Sequence, residues 1–179
     1  MNINISNLDS TIEHWGSIDG YLNYQVSWWG RVVNTKTGRI LKNSVGSHGY
    51  LQVGLSKNGK LRTRCIHVMV AQTWVLNPEN KKCVDHIDGD RTNNRYENLR
   101  YATYFENGGN RKKQTGNSSS IYKGVSWNKK ANKWSVQIRK NGVKQHLGYF
   151  ESEQEAGGAY NTAAVLYFKN YAKLNEIED

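Results

Sequence analysis

Between Cys83 and Asn110 the chain reads CVDHIDGDRTNNRYENLRYATYFENGGN, which places Asp85, His86, Asp88 and Asp90 within six positions. An aspartate offers a hard carboxylate oxygen suited to Mg²⁺ or Mn²⁺, and an asparagine carbonyl is a second, neutral oxygen ligand. A histidine beside a metal that grips a phosphate can take a proton from attacking water at neutral pH. Asp85, His86, an asparagine in the returning segment and Asn107 therefore form a set able to hold a hard cation and move a proton. Adjacent strand residues point to opposite faces, so a strand end or a bulge must re-aim Asp85 or His86 if both are to face one point.

Other chemistry for the same segment is weaker. A calcium loop beginning at Asp88 needs glycine at its sixth position and glutamate at its twelfth, where Asn93 and Leu99 stand. Asp88, Asp90, Asn93 and Asn94 read as turn-formers that bond their own backbone. Cys65-x-His67 and Cys83-x-x-His86 supply four conceivable zinc ligands, but zinc would consume the base, and no knuckle glycine accompanies the first pair. His67 otherwise reads as a structural histidine at a helix start, and the two cysteines as small buried hydrophobes.

The elements that must position these groups fall into three modules, in an α+β chain. Residues 1–75 read as a small β-rich module ending in a helix. GRVVNTKTGRILK carries a Thr-Gly turn, and GYLQVGLSKNGKLRTRCI turns at Asn58-Gly59, a strong hairpin signal because both central residues of a type I′ turn need positive φ. IHVMVAQTWVL has helical spacing and stops at Asn77-Pro78. Residues 76–112 read as the strands CVDHI and NLRYA, joined by a polar loop and followed by a helix from Thr103. Residues 113–120 have linker composition. Residues 121–179 read as a three-stranded antiparallel sheet packed on one helix, with Trp134, Val136 and Ile138 on one sheet face and Lys133, Ser135, Gln137 and Arg139 on the other. That helix opens with a capping box at Ser152 and Glu155. Gly157-Gly158, early in it, has no explanation at this level.

The charge is uneven. The net charge is +10, yet residues 1–30 carry no Lys or Arg, whereas residues 107–150 hold ten and no carboxylate. Residues 31–84 hold another ten against Glu79 alone. Two basic blocks around a mixed segment suggest two surfaces that meet a polyanion. No apolar run is long enough for a membrane helix, the N-terminus lacks the layout of a secretion signal, and two cysteines make no disulfide framework, so an intracellular, non-secreted protein is expected.

The segment from Val84 to Asn110 resembles the motif of HNH homing endonucleases of the ββα-metal type, in the variety whose last histidine is replaced by asparagine. The resemblance implies that Asp85 and Asn107 are the metal ligands, that His86 is the general base, and that Asn98 is the central asparagine that braces the loop and orients the histidine. It implies one divalent ion per site, Mg²⁺ or Mn²⁺, no organic cofactor, and site-specific hydrolysis of double-stranded DNA. Double-strand cleavage then needs a homodimer or two sequential nicks by a monomer.

The stretch from Trp15, WGSIDGYLNYQVSWWGRVVNTKTGRILK, resembles the modular domain often placed ahead of such nucleases, with Trp28 and Trp29 where that family has Ser-Asn; core packing on one side and an exposed ring on the other is expected for the pair. YKGVSWNKKANKWSVQIRKNGVKQHLGYF and the Ala-rich helix after it resemble the APETALA/ethylene-response-factor domain. That likeness implies DNA contact from Lys123, Trp127, Asn128, Lys129, Lys130, Arg139, Lys144 and His146, with Arg111, Lys112 and Lys113 leading into the module. Lys123, Ser126 and Asn128 stand where arginine is usual, and lysine lacks the fork that reads guanine. The rival function is a sequence-specific DNA-binding regulator whose nuclease module is inactive; RNA binding or cleavage is a third.

Overall fold

Short apolar runs punctuated by glycine and asparagine fold as narrow antiparallel sheets, and the first part of the chain is made of them. The computed structural model describes residues 8–113, 116 and 118–177. They form two units, one up to Ala102 and one from Thr103 onward. The division falls within the segment 76–112, between its second strand and its helix. Part of the linker, residues 114, 115 and 117, lies outside the described residues.

In the first unit β1 (Trp15–Ser17), β2 (Tyr24–Ser27), β3 (Val32–Asn34) and β4 (Arg39–Ile40) make a meander in that order. A second sheet joins β5 (Ser44–Val45), β6 (Leu51–Lys57) and β7 (Lys60–Cys65). The Asn58-Gly59 turn is as expected: both residues have positive φ, 52° and 72°, and Lys57 pairs with Lys60 across a two-residue loop. Helix α1 (Ile66–Trp74) follows directly and buries Ile66, Met69, Val70, Ala71 and Trp74. These side chains pack with Val26, Trp28, Val32, Val53 and Leu55 into one core that extends to Leu99.

Trp28 is 1% exposed and lies in that core, stacked on Tyr96 at 5.0 Å between ring centroids. Trp29 is half-buried with the Arg95 guanidinium over its ring. The unit ends with the hairpin β8 (Cys83–His86) and β9 (Leu99–Ala102).

The second unit begins with α2 (Tyr104–Gly109), closed at its start by a Thr103–Glu106 capping box. Then come β10 (Val125–Asn128), β11 (Lys133–Lys140) and β12 (Val143–Phe150), a three-stranded antiparallel sheet, and α3 (Glu153–Phe168). The Ser152–Glu155 box has both of its reciprocal bonds. Val125, Val136 and Ile138 of the sheet bury against Ala156, Tyr160, Ala164 and Phe168 of α3. Half of the Gly157-Gly158 question is answered by Gly157: a Cβ there would come within 2.7 Å of Ile177 and 3.0 Å of the Tyr122 ring. At Gly158 a Cβ would meet nothing, and no packing reason for that glycine is evident. Ser135 departs from the expected open face and is buried, because its cross-strand partner Tyr149 and neighbouring His146 cover it.

Candidate active site

Strand β8 ends at His86, and the two strands of the hairpin are in register from Cys83 opposite Ala102 to His86 opposite Leu99. Asp85 faces Arg100, and the guanidinium donates from both Nε and Nη2 to Oδ2 at 2.9 Å. Asp85 is nearly fully buried, so the pair is poorly screened by water. The strand end gives His86 a different set of partners from those of Asp85. Its Nε2 lies 3.0 Å from Oδ1 of the buried Asn94, and its ring lies 5.0 Å from that of His67 and 5.9 Å from that of Tyr50. Tyr50 stacks on His67 at 4.6 Å, and the Arg91 guanidinium lies 5.0 Å from its ring centroid.

The connecting loop is a closed network of carboxylates and amides. Asn98 receives the Asp88 amide at 3.1 Å and donates to Asp88 Oδ1 and to the Asn93 carbonyl, both at 2.9 Å. Asn93 donates to the other Asp88 oxygen at 2.7 Å, and Asp88 Oδ1 also accepts from the Asp90 amide. Burial pushes the Asp88 pKa up, but these donors and the nearby His86 outweigh it and hold the carboxyl below the usual range. Asp90 in turn receives the Thr92 amide and hydroxyl. The aspartates and asparagines thus act as turn-formers, as their types suggest.

Asn94 behaves differently. It is buried against the Gly30 turn, where an added Cβ would come within 2.9 Å of the Asn94 Cβ. Its Nδ2 and the Nδ1 of His67 are buried without a hydrogen-bond partner. His67 is pushed down to about 4 by burial first and by His86 second, so it is neutral at pH 7.

Asp85, His86 and Asn98 therefore sit on one hairpin of the first unit. Asn107 belongs to the second unit, half-buried on α2, its amide bonded to the Thr103 carbonyl. Among the described residues no three of His, Cys, Asp and Glu converge in a metal-holding group, so Cys65, His67, Cys83 and His86 do not make a zinc site. The cysteines are free and half-buried rather than buried. Sequence reasoning missed Asn94, Arg100, Tyr50 and His67 as neighbours of the proposed acid and base. The Asp85–Arg100 pairing had a signal in strand register, whereas nothing in composition separates Asn94 from its loop neighbours.

In the second unit Lys129, Lys130, Arg139, Lys144 and His146 are exposed, as is Trp127, which meets Trp134 edge to face at 5.1 Å. Asn128 is committed to the turn, accepting from the Lys130 and Ala131 amides at 3.0 Å. Arg111 and Lys112 are exposed, while Lys113 donates to the Ser118 hydroxyl and the Tyr122 carbonyl. Lys123 turns inward, donating to the Gly109 carbonyl at 2.8 Å and lying over the Tyr160 ring.

Residues 77–108, which span the whole hairpin and its loop, match the HNH endonuclease family. This chain carries an HNH endonuclease domain. The HNH domain is preceded by a match to the NUMOD4 motif over residues 13–56. The DNA endonuclease I-HmuI of Bacillus phage SP01 is 41% identical over 90 residues, which is 50% of this chain and 52% of that protein. An uncharacterized HNH endonuclease of Acanthamoeba polyphaga mimivirus is 43% identical over 106 residues, 56% of this chain and 26% of the relative. A solved structure described as DNA binding and cleavage by the HNH homing endonuclease I-HmuI covers 50% of this chain with a TM-score of 0.48. The matched region is thus about half of I-HmuI and a quarter of the mimivirus protein. No helix of the described residues is long and apolar enough to cross a membrane.

Proposed function

We propose that the chain is a homing-type, divalent-metal-dependent DNA endonuclease that hydrolyses a phosphodiester at the HNH domain. The observation that carries this reading is the buried His86 ring held at Nε2 beside the buried Asp85, inside the segment that matches the family. An amide oxygen facing Nε2 fixes the orientation of the imidazole. The His86 imidazole then takes the proton of a water as its oxygen attacks phosphorus, and the bond from phosphorus to the 3′ oxygen breaks, the 3′ oxygen taking a proton from solvent water. Asn98 acts at one remove: by tying Asp88 to Asn93 it fixes the loop that delivers Asn94 to the histidine.

Asp85 and Asn107 would hold the metal. Carboxylate and amide oxygens are the donor types that suit a hard ion, and Arg100 orients Asp85. The chemistry such an ion supplies when bound is positive charge against the phosphate and the leaving 3′ oxygen. The exposed cations of the second unit, on a stretch without carboxylates, support duplex binding there, with Lys129, Lys130 and Lys144 on phosphates.

The test is nicking of supercoiled plasmid carrying a random-sequence insert library, with Mg²⁺, Mn²⁺ or a chelator. Metal-dependent nicking or linearisation that disappears in His86→Ala is expected. Salt-sensitive binding with no cleavage of a bound library member in any metal would instead favour the DNA-binding regulator.

A further inference from the structure

Strand β10 pairs only with Lys133–Val136 of β11, so the rest of β11 runs on past its neighbour. At that open edge, within the second unit, lies a cavity of about 540 Å³. This is the size of a small-molecule site. Its walls are aromatic and cationic: Tyr104 and Phe105 from α2, Tyr160 from α3, and the cations Arg111, Lys123 and Arg139. No carboxylate is among the lining residues.

The walls are held firmly. Phe105 packs on Phe168 at 4.8 Å between centroids, and a Cβ on Gly109 would strike Phe168 at 2.5 Å, so α2 sits directly against α3. Arg139 is steadied by its bond to the Gly142 carbonyl at 2.9 Å in the β11–β12 turn. Lys123 is drawn down to about 8 by burial first, then by Arg111 and Lys173. Cations gathered without a counter-charge are relieved by an anion, and aromatic walls beside them suit a flat ring.

We propose that this cavity takes a single nucleotide unit, its base against Tyr104 and Phe105 and its phosphate against Arg111 and Arg139. The unit is either a free nucleoside monophosphate or one unpaired nucleotide of a DNA strand. Lys129, Lys130 and Lys144 are not among the residues that line the site, and it does not depend on the HNH chemistry.

The full chain is titrated, with chelator present, against the monophosphate of 2-aminopurine deoxyriboside and against a duplex carrying 2-aminopurine either paired or in a one-base bulge. Saturable quenching of the free monophosphate is expected, with the unphosphorylated nucleoside at least about ten-fold weaker and inorganic phosphate a poor competitor. Extra quenching of the bulged over the paired duplex assigns the site to a DNA strand, and its absence beside binding of the monophosphate assigns it to a free nucleotide. Tyr104 is 80% exposed, so Tyr104→Ala leaves the core intact; it and Arg139→Gln should each weaken binding roughly ten-fold. No saturable quenching in either arm overturns the proposal, as do equal binding of phosphate alone or unchanged binding by both variants. Chelator keeps cleavage out of the readout, so this result and that of the plasmid assay are separate.

Discussion

In the loop from Ile87 to Asn98 of the first unit, carboxylates and amides bond to one another and enclose a histidine, whereas in the second unit Lys129, Lys130 and Lys144 stand in solvent on a stretch with no carboxylate at all. Both regions are polar, yet the proposed function asks opposite things of them. A proton acceptor has to be aimed before substrate arrives, so its neighbours are fixed by short internal bonds and burial. Phosphate contact needs charge that is free to exchange counterions for the duplex, so its side chains stay unpaired and long. Chemistry is therefore expected to respond to changes in the first region and affinity to changes in the second.

The largest expected effect is on chemistry alone. His86→Ala should lower the cleavage rate by about 10³-fold while the DNA dissociation constant stays within two-fold. Next is a stability effect. His67 titrates near 4 in the folded chain and near 6.5 when unfolded, so between those values the unfolded chain binds more protons. Stability is then fully present above pH 6.5 and falls as pH drops toward 4, by about 3 kcal/mol. Urea midpoints measured across that range check the sign, and His67→Gln should flatten the slope.

A smaller effect should separate Asn94 from its loop neighbours. Asn94→Ala should slow cleavage by about 10²-fold by releasing the His86 ring, with the pH profile of kcat displaced. Asn94→Asp keeps an acceptor oxygen and should recover part of the rate. An unchanged pH profile in Asn94→Ala would remove it from the positioning role. The smallest effect belongs to the second region: Lys144→Ala should reduce the slope of log affinity against log salt by about 0.9 and leave the cleavage rate of bound DNA unchanged.

Much of this organisation was legible in the residues. Asn58-Gly59, the helical spacing from Ile66, the strand-length runs and the Ser152 capping box each report local backbone preference, and local preference decided them. Asp85 and His86 could be singled out by type and spacing. What could not be read depends on long-range packing. Asn93 and Asn94 are neighbours of one type, yet Asn93 bonds to Asp88 at the surface while Asn94 is buried behind Gly30, more than sixty positions earlier in the chain. The same holds for Tyr50 and His67, which reach His86 only because the hairpin and α1 fold back over it. Lys123 looks like its basic neighbours in sequence and is turned inward by Gly109 and Tyr160.

The most direct test measures binding and cleavage side by side on one library member that the protein demonstrably binds, with Mg²⁺ or Mn²⁺, for wild type, His86→Ala and a Lys129, Lys130 and Lys144 triple alanine variant. The account predicts that His86→Ala binds as wild type does and does not cut, while the triple variant binds more weakly and cuts at the wild-type rate once saturated. Cleavage by His86→Ala at the wild-type rate would contradict it.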